Sequence, residues 1–294
     1  MKKVLVIGGT KYLGLEFIEL LNKSETQLYV ASRKQIEIEN FIKIDRKNQK
    51  DLDQLFIDNQ FDVVVDFINY SGLDSKILIN SIKLQKKTPK LILISTVYTY
   101  AMPLEIECDS VYDEASFNPL KYNNSLTDRP RVSYAEGKRN MESYCVKNYR
   151  NDKLVILRFP IILGSNDYTK RTHFYIEKIK NNIKINPINI HKKSCYIFSF
   201  EAAKSILNFI NNNHYGTYNV LFDAISEKDL IKLFCNYYKF KMDSLLSSNI
   251  EPSNTPFTSN FDFIVDNNKY KSIFPIKTEF EKAFNRELSK IEVK

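Results

Sequence analysis

Tyr134 and Lys138 stand four residues apart in Ser133-Tyr134-Ala135-Glu136-Gly137-Lys138-Arg139-Asn140-Met141-Glu142. The segment has a helical pattern, so the two side chains share one helix face about one turn apart. A free phenol titrates near pH ~10, too high for a base at neutral pH, and a neighbouring ammonium favours its phenolate. A tyrosine beside a lysine is therefore a candidate acid/base pair. In a chain with 18 tyrosines the same spacing also fits an ordinary surface pair, and position in the chain is what favours the chemistry. Upstream, three of the seven glycines fall within Gly8-Gly9-Thr10-Lys11-Tyr12-Leu13-Gly14, after the apolar run Val4-Leu5-Val6-Ile7 and before a helix-patterned stretch. A tight turn between a strand and a helix lets backbone N–H groups and the helix dipole meet a pyrophosphate that side chains would crowd out.

These groups can cooperate only if a sheet brings them to one edge. Apolar runs predict strands at Lys3–Ile7, Gln27–Ala31, Phe41–Ile44, Val63–Phe67, Leu91–Ser95 and Leu154–Leu157, with helices beginning near Tyr12, Asp51, Asp74 and Tyr134. Such βα alternation predicts an α/β protein with a Rossmann-type, doubly wound parallel sheet and ligands at the strand C-termini. Tyr134 then follows five strands of a glycine-turn domain. Residues 1–165 are expected to form the dinucleotide-binding domain. Residues 166–294 are expected to supply mainly a smaller substrate-binding lobe, interleaved with late sheet elements at about 196–222 such as Gly216–Leu221. The polar stretch Ser247 to Asn260 contains two prolines and reads as a loop.

At 294 residues and 43% hydrophobic composition the chain can bury a full core. No run of about 18 apolar residues occurs, and Met1-Lys2-Lys3 leads straight into a short strand-like run, so neither a membrane span nor a signal peptide is expected and a cytoplasmic location is. Cys108, Cys145, Cys195 and Cys235 are widely spaced without a CxxC pair, and they read as reduced structural thiols with no metal site. The net charge of +8 includes basic clusters at Lys83 to Lys90 and around Lys178 to Lys193, which would attract anions. In a chain this rich in Lys, Asn and Ile we read the charge as compositional, and no aromatic-interleaved nucleic-acid signature accompanies it.

The glycine turn and the Tyr134/Lys138 segment together resemble the short-chain dehydrogenase/reductase superfamily. Within it they resemble the extended group of sugar-nucleotide epimerases, dehydratases and reductases, the NAD-dependent epimerase/dehydratase family. Leu91-Ile92-Leu93-Ile94-Ser95-Thr96 followed by Val97-Tyr98-Thr99-Tyr100 resembles that family's Ser-Ser/Thr-x-x-Val-Tyr segment, with Thr99 in place of valine. Leu157-Arg158-Phe159-Pro160-Ile161-Ile162-Leu163-Gly164 and Asp266-Asn267-Asn268-Lys269 resemble its later motifs, in the expected order.

The resemblance implies roles. Tyr134 would move a proton on a substrate hydroxyl or carbonyl while a nicotinamide exchanges hydride, Lys138 would hold the ribose and favour the phenolate, and Thr96 would orient the substrate oxygen, with Ser95 as the fallback. Gly8, Gly9, Thr10, Lys11, Tyr12, Leu13 and Gly14 would hold the pyrophosphate. Asp45 and Arg46 resemble the segment that meets adenine, with Asp45 the preferred contact, and Phe67, Asn69, Phe159 and Ile161 would line the nicotinamide side. Enzymes of this fold that bind NAD usually carry an acid at the end of the second strand. Here Ser32-Arg33-Lys34 and Lys11 favour NADP over NAD. The substrate implied is a small molecule, a nucleotide-sugar, with Asn166, Tyr168, Lys170, Arg171 and His173 as candidate contacts, and a homodimer is compatible with the class. One departure narrows the chemistry: sugar 4,6-dehydratases follow their threonine with Asp-Glu, whereas Thr96 is followed by Val97 and Tyr98. Elimination is disfavoured, and epimerase and reductase stay open. The competing class is a non-catalytic or RNA-associated binding protein on the same fold, which the basic charge, the altered glycine turn and the resemblance to RNA-associated relatives with this turn imply; whether Tyr134, Lys138 and Thr96 converge on a nicotinamide discriminates the two.

Overall fold

The computed structural model describes residues 1–101, 111–127 and 133–293. Its strands, in chain order, are β1 (Lys2–Ile7), β2 (Thr26–Ser32), β3 (Phe41–Lys43), β4 (Val63–Asp66), β5 (Lys90–Thr96), β6 (Val111–Tyr112), β7 (Leu154–Phe159), β8 (Ile161–Leu163), β9 (Lys193–Phe198), β10 (Gly216–Asn219), β11 (Asp223–Ser226) and β12 (Ile264–Val265). The helices are α1 (Leu13–Asn22), α2 (Gln49–Asp58), α3 (Gly72–Ile82), α4 (Tyr134–Asn148), α5 (Arg171–Lys180), α6 (Ser199–Asn211), α7 (Glu227–Tyr237), α8 (Met242–Leu245), α9 (Asn268–Lys271) and α10 (Phe280–Glu292).

Seven strands form one parallel sheet in the order β10-β7-β5-β4-β1-β2-β3. Chain progression reverses between β1 and β4, and such a switch opens a crevice at the C-terminal ends of the neighbouring strands. The six early strands lie where the apolar runs place them. The late expectation at Gly216–Leu221 is met by β10, whose hydrogen-bonded part ends at Asn219. The predicted helix starts near Asp51 and Asp74 move back two residues, to Gln49 and Gly72, because Asn48 and Ser71 accept from the first-turn amides of Lys50 and Asp74.

Alternation within a strand decides which layer each residue serves. Val4 and Val6 join Phe17 and Leu21 of α1 and Ile206 and Phe209 of α6 on one face. Leu5 and Ile7 join Leu52 and Phe56 of α2, Leu78 and Ile82 of α3, and Met141 of α4 on the other. Burial on both faces is why these strands read as unbroken apolar runs. Beyond the sheet, β9 pairs parallel with β8 and antiparallel with β11, and the stretch 247–260 is a loop apart from one bridge at Ser253. Cys145, Cys195 and Cys235 are buried free thiols, while Cys108 lies outside the described residues. No helix among the described residues is long and apolar enough to cross a membrane.

Candidate active site

The turn after β1 uses its glycines where a side chain would fail. Gly8 and Gly9 adopt φ of +77° and +73°, and a Cβ on Gly8 would lie 2.7 Å from Ile68 Cγ2. At Gly14 the obstacle is backbone: a Cβ would come 2.2 Å from Gly9 Cα, so its absence lets α1 seat directly on the turn. Tyr12, at the N-cap of α1, provides no side-chain hydrogen bond to the first helical turn. The N–H groups at such an end are orphaned by the helix itself and favour an anion. Thr10 and Lys11 lie on the outer side of the turn, Lys11 exposed, and Leu13 is packed into the core. The turn therefore fits a pyrophosphate.

At the β2 and β3 ends, a cavity of about 180 Å³ is lined by Ser32, Arg33, Asp45, Arg46, Ile68 and Tyr70 among others. Ser32 is buried and donates to the Lys34 carbonyl at 2.5 Å, whereas Arg33 is exposed at the rim. Asp45 accepts from the Lys47 amide at 3.0 Å. Arg46 shares this wall, but its guanidinium lies between Asp66 at 2.7 Å and Asp74 at 2.6 Å. Burial opposes its charge, yet the two carboxylates more than offset that and raise its pKa, while burial holds Asp66 above the usual carboxylate range. Its guanidinium thus serves the protein's own carboxylates, while Ser32, Arg33, Asp45, Lys47 and Tyr70 also line the cavity with polar side chains.

At the opposite end of the crevice, Ser133 caps α4 by accepting from the Glu136 amide at 3.2 Å and so starts the helix at Tyr134. One helix face then carries Tyr134, Lys138 and Glu142 toward the sheet. Lys138 is 1% exposed and donates to the Asn69 carbonyl at 2.8 Å and the Ile94 carbonyl at 2.6 Å, beyond β4 and within β5. Its Nζ lies 5.8 Å from the ring centre of Tyr134 and 4.7 Å from that of Tyr70. Tyr134 is 40% exposed at the mouth. Thr96 ends β5 opposite Phe159, is buried, and accepts from the Tyr98 amide at 3.2 Å. Arg139, the next residue on α4, donates to the Thr99 carbonyl at 2.9 Å and to that of Ala101. The helix bearing Tyr134 is thus tied to the chain on both sides of Thr96. Ser95 alternates with Thr96 along the pleat and donates to Glu142 of α4 at 2.5 Å.

The remaining expected wall residues are dispersed. Phe67 packs against Phe17 with ring centres 5.5 Å apart, and Asn69 is fully buried, accepting from Ser75 at 3.0 Å. Phe159 is buried, while Ile161 lines a second cavity of about 300 Å³ with Tyr98, Arg171 and Phe257. Of the candidate substrate contacts, Arg171 alone lines that cavity; Tyr168 and Lys170 are exposed. The Asp266…Lys269 motif is structural here, for Lys269 donates to the Thr217 carbonyl of β10 at 2.8 Å.

One group escaped the sequence reading. Arg158 and Glu142, both 0% exposed at their side chains, pair at 2.6 Å behind Lys138. Arg158 also donates to Tyr100 Oη at 2.7 Å, and Tyr100 donates to Asn219 at 2.6 Å, which ties β7, α4 and β10 together. The signal was available: Glu142 falls one turn beyond Lys138 on the same face, and Arg158 interrupts an otherwise apolar strand.

A family model described as the NAD-dependent epimerase/dehydratase family matches residues 4–220. Among solved structures, the chain is similar to a dTDP-glucose 4,6-dehydratase from Bacillus anthracis in complex with NAD, with TM-score 0.77, 14% identity, and 100% of this chain and 97% of that one covered. It is similar to a UDP-glucose 4-epimerase with UDP-glucose from Thermotoga maritima, with TM-score 0.75, 14% identity and 99% of each chain covered. It is also similar to a dTDP-4-dehydrorhamnose reductase from Clostridium acetobutylicum, with TM-score 0.70, 14% identity and 99% of each chain covered. At such identities the likeness is one of fold. No curated protein matches the chain. The family match runs from β1 through β10 and takes in the glycine turn, Thr96, Tyr134 and Lys138, so the chain belongs to the NAD-dependent epimerase/dehydratase family.

Proposed function

We propose that this protein is an NADP-preferring epimerase or reductase acting on a nucleotide-sugar, with residues 166–294 contributing most of the substrate side. The observation that carries the reading is the seating of Lys138: a buried ammonium held by the carbonyls of Asn69 and Ile94, beneath Tyr134 and at the same sheet edge as the uncapped glycine turn. The nicotinamide, when bound, supplies hydride transfer. Tyr134 carries the proton on the substrate oxygen, Lys138 holds the ribose hydroxyls and stabilises the phenolate through its positive charge, and Thr96 orients the same oxygen. Gly8, Gly9 and Gly14 admit the pyrophosphate to the first turn of α1. A 4,6-dehydratase is disfavoured because Val97, which is buried, and Tyr98 follow Thr96 in place of two carboxylates.

The experiment is a thermal-shift titration with NAD, NADH, NADP and NADPH, followed by turnover against a panel of nucleotide-sugars. A ligand present at 100 times its Kd stabilises the folded chain by about 2.7 kcal/mol. Gly9→Val should abolish the shift, since position 9 needs φ +73° and a Cβ there would lie 3.0 Å from Val6 Cγ1. No shift with any of the four dinucleotides at millimolar concentration sinks the cofactor assignment and favours a binding protein on this fold.

Selectivity gives a separate prediction. With Arg33 at the rim and Ser32 in the wall of the β2 cavity, NADP(H) should bind more tightly than NAD(H), by roughly the 1.5–3 kcal/mol that a charge-assisted hydrogen bond contributes. Arg33→Ala should erode that difference and leave NAD(H) affinity unchanged. Equal affinities for the two cofactors in the unmodified protein would refute the preference alone.

A further inference from the structure

Tyr12 occupies a backbone conformation normally reserved for glycine. Its φ of 49° and ψ of −121° lie in a region that residues with a Cβ rarely adopt. Its surroundings hold it there. The ring lies against Gly164, where a Cβ would stand 3.4 Å from Tyr12 Cε2, and meets Tyr168 edge-on with ring centres 6.4 Å apart. The hydroxyl donates to the Ile162 carbonyl, 150 positions along the chain. Burial first, then the charge of Asp167, pushes the phenol above its ordinary pKa, so the group stays a donor through neutral pH.

The acceptor is shared. Arg171 Nη2 donates to the same Ile162 carbonyl at 3.3 Å while its Nε pairs with Asp167 at 3.0 Å. Arg171 and Ile161 line the 300 Å³ cavity with Tyr98, so one short segment presents one side to that cavity and the other to the glycine turn. Lys11 closes the outer side, its Nζ 5.6 Å from the ring centre of Tyr168.

We infer that Tyr12 is a positioning residue that clasps the phosphate turn to residues 161–171, so that the cavity wall and the turn behave as one unit. The inference rests on the dinucleotide reading and adds a coupling to it. Without the clasp the turn relaxes toward an unstrained φ, and a ligand must first restore the binding conformation, which lowers its apparent affinity by the fraction of molecules still competent. Coupling is reciprocal, so a ligand that engages Arg171 alters dinucleotide affinity through the Ile162 carbonyl.

The test compares amide hydrogen exchange in the ligand-free full chain and in Tyr12→Phe, which keeps the ring and deletes the donor. Exchange should accelerate about tenfold in residues 9–16 and in residues 162–168 together, with the central strands unchanged. Acceleration confined to the turn, or none, overturns the clasp. Arg171→Ala removes the second donor to the same carbonyl from a partly exposed site, and it should loosen the same two segments; if Tyr12→Phe does not fold, this variant decides by the same criterion. In Tyr12→Phe the Kd for NADPH, read by nicotinamide fluorescence, should rise about tenfold, and a Kd within twofold of the unmodified protein overturns the coupling. Failure of the unmodified protein to bind NADPH would overturn the dinucleotide reading, while the ligand-free exchange comparison still decides the clasp.

Discussion

Tyr134→Phe should lower turnover by roughly 10²–10⁴-fold, the usual contribution of a positioned acid/base, while leaving NADPH binding nearly unchanged. The substitution keeps the ring that stands 5.8 Å from Lys138 Nζ and 6.3 Å from the Tyr70 ring, and removes only the proton carrier. Lys138 would keep its bonds to Asn69 and Ile94, so the floor of the crevice should persist. Lys138→Met behaves differently. It leaves two buried carbonyls without their donor and removes both the ribose contact and the charge that favours the phenolate, so binding and turnover should fall together. The pair of variants separates the two roles: a Tyr134→Phe protein with undiminished turnover in single-turnover assays would exclude the phenol from proton transfer. A Lys138→Met protein that binds NADPH as the parent does would exclude the ammonium from the cofactor site.

What the sequence disclosed follows the range of the forces involved. Strands buried on both faces must be apolar along their length, so Val4–Ile7 and Leu91–Leu93 declared themselves. The glycine turn did so because Gly14 has backbone, not a flexible side chain, in its way. The helix bearing Tyr134 was legible from its pattern, and its start is fixed by Ser133, whose side chain accepts from the Glu136 amide three residues on. The pleat sends Ser95 and Thr96 to opposite sides once the strand is fixed, and only then does the Ser95 hydroxyl find Glu142, 47 positions away. Arg46 shows where local reading ends. Its neighbour Asp45 suggests a ligand-facing turn, but Asp66 and Asp74, 20 and 28 positions away, take the guanidinium once α3 packs beside β4. The Asp266…Lys269 motif marks the same boundary, since its lysine turns to the edge strand β10, which no local pattern indicates.

Arg158→Met and Glu142→Leu should each destabilise the protein by about 3–5 kcal/mol, because removing one partner of a fully buried ion pair strands the other charge. Arg158 reaches Glu142 through three contacts of 2.6, 3.1 and 3.2 Å. Removing it would also take away the donor to Tyr100 Oη and the guanidinium lying 4.9 Å from the Tyr100 ring centre. Removing Glu142 instead strands a buried guanidinium whose charge burial opposes, and leaves Ser95 without its acceptor beside Thr96. The double variant should lose clearly less than the sum of the two, since no uncompensated charge then remains. Urea unfolding of the four proteins measures the cycle, with the denaturant slope checked for constancy so that the midpoints report stability. Single losses below about 1 kcal/mol, the range of exposed pairs, would mean that water reaches the pair. In that case the link between α4 and the end of β5 would rest on the Arg139 contacts to Thr99 and Ala101 and the Lys138 contact to Ile94 instead.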